Sequence, residues 1–139
     1  MKADDCIFCK IAAGQISSAK IYEDDDVLAF LDIGPLSDGH TLVIPKQHFE
    51  KMHQCPEVVL GKIFSKIGII AKAVFSAMDA DGYNVLCNNG RAAGQLVDHL
   101  HFHIIPRNEN DGVFNRWPSY SYEAGEVEKI AGEIKKKLF

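Results

Sequence analysis

The chain is short of positive charge. Its 139 residues carry 15 Lys and Arg against 19 Asp and Glu, a formal net charge of −4. Non-specific binding along a nucleic acid backbone needs a local positive potential, and this charge balance argues against it. It does not exclude a small phosphorylated ligand, which needs only a few aimed donors. No run of 18 apolar residues occurs, so no membrane span is expected. The opening MKADDCIFCKIAAG has acidic residues where a secretory leader would have basic ones, and a cytoplasmic location is the expectation. No internal repeat or low-complexity tract is evident. With 47% apolar residues, the length suits one domain, taken as residues 1–139.

The chain has six histidines, and their placement is informative. Three of six histidines fall in one stretch, HLHFHIIPR: His99, His101 and His103. Period two predicts a strand over VDHLHFHIIP, with Val97 and the three histidines on one face and Leu100, Phe102 and Ile104 on the other. Alternate residues would lie about 6.6 Å apart along the strand. One face is then free for chemistry and the other for packing. A solvent-facing row or a metal-scavenging face would show the same pattern. An imidazole of ordinary pKa can be a neutral nucleophile while its neighbour donates a proton. Crowded rings also resist being charged together.

The other elements follow from patterning. CIFCKIAAG reads as a short helix or turn ended by Gly14. KIYEDDDVLAFLDI reads as a β-hairpin turning at Asp24–Asp26. HTLVIP is a strand stopped by Pro45, with His40 at its start. Val59, Ile63, Ile67, Ile70 and Val74 have helical spacing, with Pro56 near the first turn. YNVLCNNG begins another strand. Val127, Ile130, Ile134 and Leu138 predict a C-terminal helix. The expected class is α+β: an antiparallel sheet with one long helix and a C-terminal helix. Between strands, Asn88, Asn89 and Gly90 could turn amide donors toward an anion. C-x-x-C at Cys6 and Cys9 fits a free thiol pair, partial burial or a metal. Cys55 and Cys87 read as structural, and His53 as a surface residue.

HLHFHII, with DIGPLSDGHTLVIPKQH, NNGRAAGQLVDH and CIFCKI around it, resembles the histidine triad (HIT) family over nearly the whole chain. The likeness is to its small prokaryotic-type members, which are related to purine nucleoside phosphoramidases. The resemblance implies a HIT-like fold and cleavage at the α-phosphorus of nucleoside phosphoramidates or other nucleoside monophosphate conjugates. His101 would be the nucleophile, passing through a nucleotidyl-histidine intermediate. The other ring nitrogen of His101 would donate to a backbone carbonyl, that of His99, and His103 to a phosphate oxygen. His99 and His40 would support the cluster. Asn88 and the backbone around Gln95 and Leu96 would hold the phosphate and leaving group. Many members have Ser or Thr where this chain has Leu96, so a hydroxyl is lost there. Asp32 would bind the ribose, and Ile7, Phe8, Ile11, Phe30 and Ile33 a purine base.

The resemblance also implies one structural zinc per chain on Cys6, Cys9, His48 and His99, and no organic cofactor. Its implied partners are a purine nucleotide or nucleotide conjugate and a second copy in a homodimer. The hairpin-rich sheet, whose edges need cover, independently favours a dimer. Two other functions fit the same residues. One is dinucleoside polyphosphate hydrolysis. The other is a zinc-stabilised nucleotide-binding scaffold with residual activity.

Overall fold

The computed structural model describes residues 3–114 and 117–138, so both ends of the expected 1–139 domain lie outside the described residues. Five strands form one antiparallel sheet: β1 (Lys20–Glu23), β2 (Val27–Leu31), β3 (Thr41–Pro45), β4 (Gly82–Leu86) and β5 (Phe102–Arg107). Their spatial order is β1-β2-β3-β5-β4. The helices are α1 (Ile7–Ala12), α2 (Glu57–Ala77) and α3 (Glu126–Lys135). The α+β expectation and its long helix are therefore observed. So is the hairpin, where the Asp24 carboxylate accepts from the N–H groups of Asp26 and Val27, both at 2.8 Å.

The alternation of side chains along β2 and β3 serves two cores. Val27, Ala29 and Val43 pack with Ile63, Ile67, Ile70, Ala71 and Val74 of α2. Leu28, Phe30, Leu42 and Ile44 point the other way, onto Phe8 and Ile11 of α1. Both faces of these two strands are thus covered, and they carry almost unbroken apolar runs. Leu100, Phe102 and Ile104 join the α2 side, as their spacing predicts. Cys55 is buried in that core, Cys87 packs against it, and His53 is exposed.

Helix α2 has Pro56 as its N-cap residue, one position before the first turn. It ends through Asp79, which takes the left-handed conformation at φ 49°. The N–H of Ala80 closes this end on the Phe75 carbonyl at 3.2 Å. A tight contact lies beside it. Gly39 has φ 88°, and a Cβ there would meet the Met78 side chain at 2.6 Å. Only glycine suits that turn, which leads into His40.

One expectation needs correction. The strand carrying the histidines begins at Phe102, not near Val97. Its partner β3 reaches only Val43 opposite Phe102. Beyond that, Leu100 N–H is drawn to the Phe49 carbonyl at 2.6 Å, and the Pro45 carbonyl is taken by the His99 ring. Ring and loop contacts thus replace the ladder before Phe102. The C-terminal helix does form, but none of its residues is buried, and Val127, Ile134 and Leu138 are exposed. Its stripe is satisfied as a local pattern without packing on the described core.

Candidate functional site

His101 and His103 open onto a cleft of about 350 Å3 between α1 and the sheet. Ile7, Phe8 and Ile11 come from α1, and Phe30, Asp32 and Ile33 from the end of β2 and the loop after it. All of these were proposed from sequence, and all line the cleft. So does Leu96, which is 87% exposed at the rim. Ile16, Ser17, Ser18, Leu42, Gly94 and Val97 also line it. Sequence reading missed these, because loop and strand residues without a chemical signature are placed there only by folding.

The hydrogen bonds fix the protons on the rings. A carbonyl can only accept. His101 Nδ1 lies 2.7 Å from the His99 carbonyl, so Nδ1 carries the hydrogen and Nε2 keeps a free lone pair. His40 Nδ1 accepts from the Leu36 N–H at 3.0 Å, so Nε2 of His40 is the protonated nitrogen. It donates to His103 Nδ1 at 2.8 Å. His103 therefore holds its hydrogen on Nε2, a buried atom with no partner among the described residues. The outcome is a bare nitrogen on one ring and an unused donor on the next, with ring centroids 5.0 Å apart.

Burial keeps these rings neutral. It lowers the pKa of His101 below the ordinary 6.5, against the pull of the His99 carbonyl and the Asp32 carboxylate. His103 is lowered to about 4, first by burial and then by its neighbours His101 and His40. Burial also lowers His40, opposed by Asp32, whose Oδ2 lies 3.7 Å from Nε2. The other Asp32 oxygen accepts from the Gly34 N–H at 2.8 Å.

Gln95 and Asn88 do not line the cleft but bond to residues that do, Val97 and Gly94. The buried Gln95 amide donates to the carbonyls of Glu50 (2.7 Å) and Val97 (3.1 Å), and its oxygen accepts from the Gly90 N–H at 2.8 Å. It shapes the loop that presents Gly94 and Leu96. Asn88 Nδ2 donates to the Gly94 carbonyl at 3.4 Å. Gly94 has φ 93°, and a Cβ there would crowd Asn88 at 3.4 Å.

His99 faces the same side of the sheet but belongs to a second cluster. Its Nε2–H donates to the Pro45 carbonyl at 2.8 Å, which leaves Nδ1 bare. That nitrogen lies 3.3 Å from Cys6 Sγ, 3.5 Å from Cys9 Sγ and 3.2 Å from His48 Nδ1. Cys9 Sγ is 3.3 Å from His48 Nδ1. Neighbouring ligands of a tetrahedral zinc, with bonds of roughly 2.0–2.3 Å, lie about 3.3–3.8 Å apart. All four donor atoms fall within 4.8 Å of one another. Burial, then the adjacent Cys6, pushes the Cys9 thiol pKa up to about 12, a penalty that a divalent cation would offset. The residues therefore fit a zinc ion.

A HIT-domain family profile matches residues 13–110. The adenosine 5′-monophosphoramidase hnt1 of Schizosaccharomyces pombe is 47% identical over 134 residues, covering 96% of this chain and 98% of that protein. A HIT family protein of Bacillus subtilis, solved by crystallography, superposes with a TM-score of 0.91 at 43% identity, covering 97% of this chain and 98% of the other. A Zn-bound histidine triad protein of Mycobacterium smegmatis superposes at 0.76 with 34% identity, covering 97% and 99%.

Proposed function

Because the chain belongs to the HIT-domain family, we propose that it is a nucleotide hydrolase cleaving at the α-phosphorus of nucleoside phosphoramidates or related nucleoside monophosphate conjugates. The observation that carries this reading is the proton arrangement: a bare Nε2 on His101 beside an unused Nε2–H on His103. The His101 lone pair attacks phosphorus, and the phosphorus–nitrogen bond breaks to give a nucleotidyl-histidine. Water then releases the monophosphate. Overall one water is consumed, its hydroxyl ending on phosphorus and its proton on the amine. His103 Nε2–H stabilises a non-bridging oxygen where charge grows. Asp32 accepts from ribose hydroxyls. The apolar walls hold a purine without hydrogen-bonding its edge, so discrimination between bases is weak.

Cys6, Cys9, His48 and His99 would hold one zinc per chain, with no open position, so its role is structural. The chain would act as a single domain and pair as a homodimer. Support for pairing is the outer strand β4, where Tyr83 and Val85 are exposed beside Phe64 and Phe75 of α2. No described helix is long and apolar enough to cross a membrane.

The test is a substrate panel with wild type and His101→Gly: an adenosine phosphoramidate, an adenylated lysine and a dinucleoside tetraphosphate. The phosphoramidate should turn over fastest. His101→Gly should lose turnover yet bind AMP within about tenfold of wild type, roughly 1.4 kcal/mol. Undiminished turnover in that variant would overturn the nucleophile. A faster tetraphosphate would favour the polyphosphate hydrolase reading, and negligible turnover of all three the scaffold.

A further inference from the structure

Helix α1 has six residues and two working sides. Cys6 caps its N-terminus, the Sγ accepting from the Cys9 N–H at 3.4 Å. These two thiols face His48 and His99. Within the same turns, Ile7, Phe8 and Ile11 form one wall of the cleft. So short a helix has little stability of its own, and its position depends on what holds its side chains. Phe8 touches both sites. Its ring stands edge-on to His99 at 5.9 Å and 76°, and edge-on to His101 at 5.1 Å and 84°. A second link runs through the backbone, where the His99 carbonyl accepts from His101 Nδ1.

We propose that Phe8 is a positioning residue that couples the Cys6–Cys9–His48–His99 site to the cleft, so that zinc and a nucleoside monophosphate each tighten the binding of the other. The inference rests on the metal and nucleotide readings above. Both ligands need α1 docked in the same place. Whichever binds first orders the helix, and the second meets it already ordered. Thermodynamic linkage requires the factor to be the same in both directions.

The experiment uses the full chain with AMP and zinc as probes. AMP is titrated calorimetrically into zinc-loaded protein and into protein stripped by a chelator. Zinc affinity is measured by competition with a chromophoric chelator, with and without saturating AMP. Wild type should bind AMP about tenfold more weakly when stripped, equivalent to about 1.4 kcal/mol. AMP should raise zinc affinity by the same factor. In Phe8→Ala both ligands still bind, but the factor should fall below about threefold, and Phe8→Tyr, which keeps the ring, should restore it. Equal AMP affinity with and without zinc in wild type overturns the proposal. So does a full coupling factor in Phe8→Ala, which would mean that zinc acts through folding of the whole chain. AMP that fails to bind zinc-loaded wild type, or zinc that fails to bind at all, instead removes the nucleotide or the metal premise, and the coupling with it.

Discussion

Replacing His40 by Leu should separate the orientation of His103 from its presence. His40 is 3% exposed and makes two contacts that leucine cannot. Its Nδ1 accepts from Leu36 N–H at 3.0 Å, and its Nε2–H donates to His103 Nδ1 at 2.8 Å. A buried group left without its partner costs about 1–3 kcal/mol. Leu36 is itself half-exposed, so its N–H can recover water and counts at the low end. The sum is about 2–4 kcal/mol, a fall in Tm of roughly 10 °C for a domain of this size. The kinetic effect has a different origin. Without the His40 donor, His103 can carry its hydrogen on either nitrogen and can turn. Complete loss of a preorganised donor costs about 10²–10³ in rate. Loss of its orientation alone should cost about 10–100-fold in kcat/KM, or about 1.4–2.8 kcal/mol. His40→Asn, whose carboxamide can accept and donate, should recover part of both losses. The assays are steady-state hydrolysis of adenosine 5′-phosphoramidate and nitrogen-15 NMR of the imidazoles. A folded His40→Leu variant within twofold of wild type would refute the reasoning. So would wild-type His103 found protonated on Nδ1.

Four further outcomes are expected. Purified Cys6→Ser/Cys9→Ser should contain no zinc by mass spectrometry where wild type contains one per chain, and wild type should melt lower after chelation, since binding to the native state adds to folding free energy; unchanged stoichiometry in the double variant would reject these ligands. The acid limb of kcat/KM should have its midpoint below 6.5, because burial lowers the His101 pKa and the lone pair is lost only as pH falls through that lowered value. His103 has a folded pKa of about 4 against 6.5, so the unfolded chain binds more protons between those values, and stability, followed by urea midpoints, should decline as pH falls through that window by at most about 3 kcal/mol from this residue. Light scattering at micromolar protein should give about twice 15.4 kDa, and Tyr83→Asp on β4 should shift the chain toward monomer; a monomeric wild type would refute pairing.

The sequence by itself determined what repeats locally or carries a distinctive chemistry. The hairpin, α2 and the apolar face of Leu100, Phe102 and Ile104 follow from periodicity, because backbone geometry converts spacing into faces. Side-chain chemistry and the family likeness named the cleft walls from Ile7 to Ile33 and brought the four metal ligands together as a set. Other features were decided only in three dimensions. The strand was expected from Val97, but hydrogen bonds to Phe49 and Pro45, far away in the chain, end it at Phe102. The backbone around Gln95 was expected beside the phosphate; what the fold adds is that the Gln95 side chain lies buried, tying Gly90 to Glu50. The alternating histidines looked like one row. Folding divides them between a sulfur-lined pocket at His99 and an open cleft at His101 and His103. The division also sets the protons. Which nitrogen of an imidazole keeps its lone pair depends on the partner facing the other nitrogen. Here those partners are a carbonyl two residues away, a proline carbonyl 54 residues away and a histidine on a neighbouring segment, 63 residues away. The first of these is local, but no local pattern encodes the other two, so only the packed sheet fixes the protons on His99 and His103.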